Sequence, residues 1–305
     1  MQGTSLCRID FLASVGLQGI NQAKECIFVK IRDMDFQQQV MQAMGMIRTQ
    51  YLGYPDVGVI LGSGLGAFIQ YINIEHEIPY SEIPHFPVTT VEGHSGKLIF
   101  GKIGNKRIVI MAGRFHAYEG YSAKEVVFPI RVLKMLGVQQ LFISNAAGGV
   151  HPDFNVGDLM MIRDHISFAV VNPLIGPNNK AWGPRFPDMS EPYSKALIEK
   201  GYSAASKLGY TLKEGVYFGV TGPTFETRAE YKLIRTLGAD AVGMSTVQEV
   251  IAGVHCGMKI FALSVITDIG IREEENTITH EDVLAAATAA EPKLTAIFKE
   301  IIESL

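Results

Sequence analysis

Phe225 and Glu226 lie just past the turn signal Gly222-Pro223, so an aromatic face and a carboxylate are expected to share one wall of a site. Ser245 follows the short apolar run Ala241-Val242-Gly243-Met244, where the next helix should begin. Free backbone N–H groups at such a strand-to-helix junction favour an anion. Both residues also have an ordinary reading. Glu226 in a first helical turn is a charge well placed on the helix dipole, and Ser245 is an N-cap.

A second group is carried by Gly113-Arg114-Phe115-His116-Ala117-Tyr118. Strand alternation projects Arg114, His116 and Tyr118 to one face. A fixed cation, an imidazole and a phenol there could hold an oxyanion and a hydroxylated group; the plain alternative is a solvated strand end. Gly62-Ser63-Gly64-Leu65-Gly66 follows a short apolar run, and its glycines let the backbone turn tightly and approach a ligand to which Ser63 offers a hydroxyl. The match to a dinucleotide fingerprint is weak, because Tyr71 to Pro87 is polar and Pro-interrupted where a helix, a strand and an acid are needed. No Lys follows the glycines, which excludes a Walker loop. Asn145-Ala146-Ala147-Gly148-Gly149 reads as a small-residue loop, and Thr267-Asp268 ends another apolar run.

The elements that must position these groups alternate along the chain. Helical spacing predicts helices over 35–51, 122–136, 194–208, and from Tyr231 to a stop at Gly238. Strands are predicted at 57–61, 97–101, 107–111, 141–144, 159–163, 215–220, 241–244 and 259–266. A long C-terminal helix is expected from Thr279, capped through Asp282, with His280 in its first turn and Pro292 kinking or dividing it. The stretch 172–187, with Trp182 and Phe186, reads as a surface loop long enough for an interface or lid, and 269–279 as a flap. No repeat or linker divides the chain, so 34–305 is one α/β domain; residues 1–33 are an unassigned N-terminal extension.

Bulk properties narrow the partners. The 305 residues are 47% apolar and 19% charged, with a net charge of −4 and a pI near 6.1. That balance argues against nucleic acid, and any phosphate bound is expected to be small and held in a pocket. Three cysteines without metal spacing point to a reducing cytosol, and no run is apolar enough for a membrane span. At least four predicted strands end in small or polar loops; in α/β sheets ligands sit beyond those carboxyl ends, so one composite site is expected.

With these residues in view the chain resembles the trimeric type of the purine nucleoside phosphorylase and methylthioadenosine phosphorylase family, from about Asp35 to the C-terminus. The resemblance rests on LGSGLG (61–66), GHSG (93–96), GRFHAYEGY (113–121), NAAGG (145–149), GPTFETRAE (222–230), GADAVGMST (238–246) and THEDVL (279–284), in that order. It implies a central twisted mixed β-sheet flanked by helices, nucleoside phosphorylase type I-like, in a cytoplasmic homotrimer. The implied reaction is phosphorolysis of purine (deoxy)ribonucleosides to free base and (deoxy)ribose 1-phosphate in purine salvage. It needs no metal or organic cofactor, inorganic phosphate being a co-substrate.

Position by position, the resemblance implies that Ser63, Arg114, His116, the Ala146 amide and Ser245 hold phosphate, with His94 near it. Tyr118, Met244 and His280 would contact the sugar. Phe225 would pack on the base, Glu226 would bond its Watson–Crick edge, and Thr267 and Asp268 would lie beside it. His116, Glu226, Asp268 and His280 are the expected catalytic groups, and Phe186 would reach into a neighbouring subunit's sugar site.

One position departs from the pattern. Asp268 stands where 6-oxopurine enzymes of this type usually carry Asn, and so resembles the methylthioadenosine phosphorylases, whereas Glu226 resembles the 6-oxopurine enzymes. Inosine and guanosine are the expected substrates, with methylthioadenosine or adenosine as the alternative. A protonated Asp268 would donate to N7 or O6, and burial favours that form. A nucleoside sensor and a hydrolytic nucleosidase are the rival classes; Arg114, His116 and Ser245 would be superfluous to the latter.

Overall fold

The computed structural model describes residues 35–91, 95–271 and 277–305. The expectations for residues 1–33, for His94 and for the middle of the 269–279 flap therefore lie outside the described residues.

Nine described strands form a mixed sheet: β1 (Val57–Ile60), β2 (Asn73–Pro79), β3 (Lys97–Ile103), β4 (Lys106–Ala112), β5 (Gln140–Gly149), β6 (Leu159–Ile166), β7 (Lys213–Gly219), β8 (Ala241–Gly243) and β9 (Lys259–Ile269). Their order is β2-β3-β4-β1-β5-β8-β7-β6-β9, and β5 pairs with β9 as well, so the second half of the sheet closes on itself. β1 runs parallel to β4 and β5, and β5 parallel to β9. The helices are α1 (Phe36–Gln50), α2 (Ala123–Val126), α3 (Phe128–Leu136), α4 (Lys195–Leu208), α5 (Arg228–Thr236), α6 (Val247–His255) and α7 (His280–Glu303).

Central strands carry continuous apolar runs, such as Ile108–Ala112 of β4 and Leu141–Ile143 of β5, because both faces are covered. In β4, Val109 and Met111 join the core under α1, α3 and α6, while Ile108 and Ile110 join the core under α4 and α7. In β5, Leu141 and Ile143 take the first side and Phe142 the second. The expected mixed sheet between helical layers is present, and it aims the carboxyl ends of several strands at one place.

The structure corrects several local readings. Asn145–Gly149 is not a loop but the end of β5, paired as far as Gly149 with Ile269 of β9 and Ala241 of β8. Thr267 and Asp268 likewise lie within β9. The predicted helix over 122–136 is two helices meeting at Val127. Pro129 in the first turn of α3 lacks the N–H that would continue the earlier ladder and suits a new start. β2 lies in the polar segment read as irregular; it is a sheet-edge strand with Ile78 its one buried residue, so no apolar alternation marks it.

β4 stops at Ala112, so alternation does not govern Arg114, His116 and Tyr118; a 3-10 turn at Ala117–Glu119 carries the chain round instead. α7 passes through Pro292 as one helix. Burial of Ala287, Ala290, Leu294, Ile297 and Phe298 outweighs the roughly 3 kcal/mol that an interior proline costs.

Candidate active site

The ends of β1, β4, β5, β8 and β9, together with the segment after β7, surround a cavity of about 350 Å³. Two contacts fix the segment that carries Ser63. The Ser144 hydroxyl in β5 accepts from the Gly62 amide and donates to the Ile60 carbonyl, both at 3.2 Å. Glu291 of α7 accepts from the Ala67 and Phe68 amides of the following 3-10 turn. Gly64 between them has φ +73 and rests on α7, where a Cβ would come 2.9 Å from that of Ala287.

At the end lined by Ser63, Arg114 and Ser245 the cavity is built for an anion. Arg114 is 1% exposed. Its Nη1 donates to the Ser245 hydroxyl at 2.9 Å, and its Nε lies 3.3 Å from Glu249 Oε1 in the first turn of α6. Ser245 is not the helix N-cap: Thr246 takes that place at φ +74, without a side-chain cap bond. The Thr246 hydroxyl accepts from Asn145 Nδ2 at 2.8 Å and lies 3.2 Å from Ser245 Oγ. These bonds hold the Ser245 side chain beside Arg114 instead of over the helix amides.

His116 is oriented by a carboxylate three residues on. Its Nδ1 lies 3.0 Å from Glu119 Oε1, which also accepts from the His116 amide. An ionised carboxylate only accepts, so Nδ1 carries the hydrogen. Burial alone would raise Glu119, but hydrogen bonds from the His116 side chain and from Thr90 bring its pKa down to about 2. The imidazole stacks on Tyr118 with centroids 4.6 Å apart. Burial and the Glu119 charge push the Tyr118 phenol up to about 12, which keeps it a neutral donor.

The other end is aromatic and acidic. Phe225, 40% exposed, lines the cavity with Glu226, Met244, Thr267 and Asp268. Asp268 is buried, and Thr267 Oγ1 donates to its Oδ1 at 3.1 Å. Gly148 leaves room for this carboxylate, since a Cβ there would fall 2.9 Å from Asp268 Oδ2. Burial raises the Glu226 carboxyl above its usual range, and the Asp268 charge adds to the rise.

Of the residues expected from sequence, Ser63, Arg114, His116, Tyr118, Ala146, Phe225, Glu226, Met244, Ser245, Thr267, Asp268 and His280 all line this one cavity. His280 opens α7, where Thr279 and Asp282 form the expected capping box. Phe186 does not line it; it lies elsewhere on the surface, 86% exposed. Glu119, Glu249, Glu291 and Tyr231 had not been singled out for function. The first three act by holding another residue or segment, and a sequence shows no sign of such pairings except the three-residue spacing of His116 and Glu119. Among the described residues no group of three or more His, Cys, Asp or Glu could hold a metal ion.

A sequence model of the Phosphorylase superfamily matches residues 56–303. Purine nucleoside phosphorylase 1 of Geobacillus stearothermophilus is 46% identical over 266 residues, covering 87% of this chain and 97% of that protein. The chain belongs to the purine nucleoside phosphorylase family. Two solved structures of such enzymes superpose on it with TM-scores of 0.83. A Schistosoma purine nucleoside phosphorylase in complex with hypoxanthine is 39% identical, over 88% of this chain and 97% of its own. Isoform 2 from Schistosoma mansoni, in complex with cytosine and ribose-1-phosphate, is 44% identical, over 88% and 96%. Membership of a purine nucleoside phosphorylase family accounts for a cavity that is basic and hydroxylated at one end and aromatic and acidic at the other.

Proposed function

We propose that this protein cleaves purine nucleosides with inorganic phosphate, yielding free purine base and pentose 1-phosphate, with inosine and guanosine as its substrates in purine salvage. The observation that carries the reading is the single cavity with Arg114 and Ser245 at one end and Phe225 and Glu226 at the other.

In this reading Ser63, Arg114, His116, the Ala146 amide and Ser245 hold the phosphate. Cleavage of the glycosidic bond builds positive charge on the sugar and negative charge on the departing purine. A phosphate dianion held beneath the sugar stabilises the first charge and is already placed to attack the anomeric carbon. The glycosidic electron pair leaves with the base, and Asp268, in its protonated form, donates to N7 or O6. Glu226 accepts from the purine N1–H, Phe225 packs on the ring, and Tyr118, Met244 and His280 contact the sugar. No cofactor enters this chemistry.

The finer reading is a cytoplasmic homotrimer in which Phe186 completes a neighbour's sugar site. The exposure of that ring supports it, and no described helix is long and apolar enough to cross a membrane.

The test is base release from inosine, guanosine and adenosine, each with and without phosphate. Phosphate-dependent release from inosine and guanosine is expected. Release chiefly from adenosine transfers base selection to Asp268 and favours the aminopurine reading. Release without phosphate, or none, overturns phosphorolysis.

A further inference from the structure

Tyr231 of α5 is 4% exposed and belongs to the small core formed with Phe218, Ile234 and Val242. By periodicity it is a core residue, yet it also lines the active-site cavity. Its hydroxyl is withdrawn from solvent and makes no aligned hydrogen bond among the described residues. The carboxylates that line the cavity with it are Glu226, which lies before α5, and Asp268 of β9. The ring is held in place by close approach of the backbone: a Cβ on Gly270 would run into it. A buried O–H without a partner costs free energy unless something completes it, and here the hydroxyl lies beside the groups that read the base.

We propose that Tyr231 is a base-positioning residue: when a 6-oxopurine binds, its phenol O–H donates to the Glu226 carboxylate and holds that group as the acceptor for the purine N1–H. The inference rests on the phosphorolysis reading above and deepens it. The need for such a donor follows from the surroundings of Glu226. Burial, with the Glu230 charge adding to it, favours its protonated form, and a protonated carboxyl that turns its O–H towards N1–H would oppose donor to donor. A phenol neutral across the working range opposes that tendency, since burial and the Glu226 carboxylate push its own pKa up. Adenine has no N1–H and gains nothing from the arrangement, so the phenol favours 6-oxopurines.

The decisive variant is Tyr231→Phe, which keeps the ring against Gly270 and removes the donor. Its KM for inosine is expected to rise about tenfold, the scale of one hydrogen bond to a charged group, with the KM for phosphate unchanged. The acid limb of kcat/KM for inosine should move to higher pH, because Glu226 then protonates more readily. On a Glu226→Gln background the same substitution should add little further loss. If Tyr231→Phe does not fold, Tyr231→Leu removes the same donor and carries the same measurements. An unchanged inosine KM and acid limb in a folded variant, or full additivity with Glu226→Gln, overturns the proposal. Wild-type protein that releases no base with phosphate overturns the phosphorolysis reading instead, so the two failures are distinguishable.

Discussion

Glu249 Oε1 lies 3.3 Å from Arg114 Nε, and both side chains are withdrawn from solvent. The carboxylate neutralises the guanidinium and fixes its direction while Nη1 reaches Ser245. Removing one member of such a pair strands the other charge in the interior at a cost of about 3–5 kcal/mol. Glu249→Ala should therefore lower stability by that order in urea denaturation. In the milder Glu249→Gln, steady-state kinetics should show the KM for phosphate rising well ahead of the KM for nucleoside. Equal rises in both would mean that Glu249 supports the whole cavity and not Arg114 in particular.

Arg114 itself should show the larger kinetic effect. Loss of one fixed donor to a developing or transferred anion costs about 10²–10³ in rate. Arg114→Ala is expected to reduce kcat/KM for phosphate on that scale, while calorimetry still detects hypoxanthine binding at the far end of the cavity. Loss of both together would contradict two separable subsites.

Glu119 ties His116 to acid stability. Its pKa falls from the ordinary 4.5 to about 2 in the folded protein, so the unfolded state binds the proton more readily. The contribution is fully present above about pH 4.5 and is lost as pH falls towards 2. The stability gap between wild type and Glu119→Gln, followed by chemical denaturation across pH, should be flat from 7 to 5 and shrink below that. Activity of Glu119→Gln should also fall, because the Nδ1 hydrogen of His116 loses the charged acceptor that orients the ring.

On the proposed reading Asp268 separates two base preferences. As a protonated donor it is replaceable by a carboxamide that also donates. Asp268→Asn should leave inosine turnover largely intact and flatten its decline at alkaline pH, read from kcat/KM between pH 6 and 9. A large loss with an unchanged profile would remove the donor role.

Phe186 gives the quaternary prediction. Light scattering should return three times the chain mass, and Phe186→Ala should raise the nucleoside KM with the trimer intact. A monomer of full activity would exclude a contribution from a neighbouring subunit.

Much of this was legible in the residues. Apolar runs at β1, β4 and β9 were visible because strands buried on both faces carry no polar alternation. β2 was not, since an edge strand in water has no such signal. The small residues Ala146 to Gly149 read as a loop, although they are small because β8, β9 and Asp268 crowd the end of β5. Asp268 and Glu226 were found by type, whereas Tyr231 was hidden by its own periodicity: one face of its ring is core and its hydroxyl is site.

The sequence by itself determined the α/β class, the order of the motifs and most of the polar groups that line the cavity, because local spacing and residue chemistry carry that information. The tertiary structure alone decided which charge answers which. Arg114 meets Glu249, the Ser63 segment is held by Glu291, and Tyr231 comes to share a cavity with Glu226 and Asp268. Most of these pairs join residues far apart in the chain, and their energies depend on distance and burial, which exist only once the sheet has closed and excluded water.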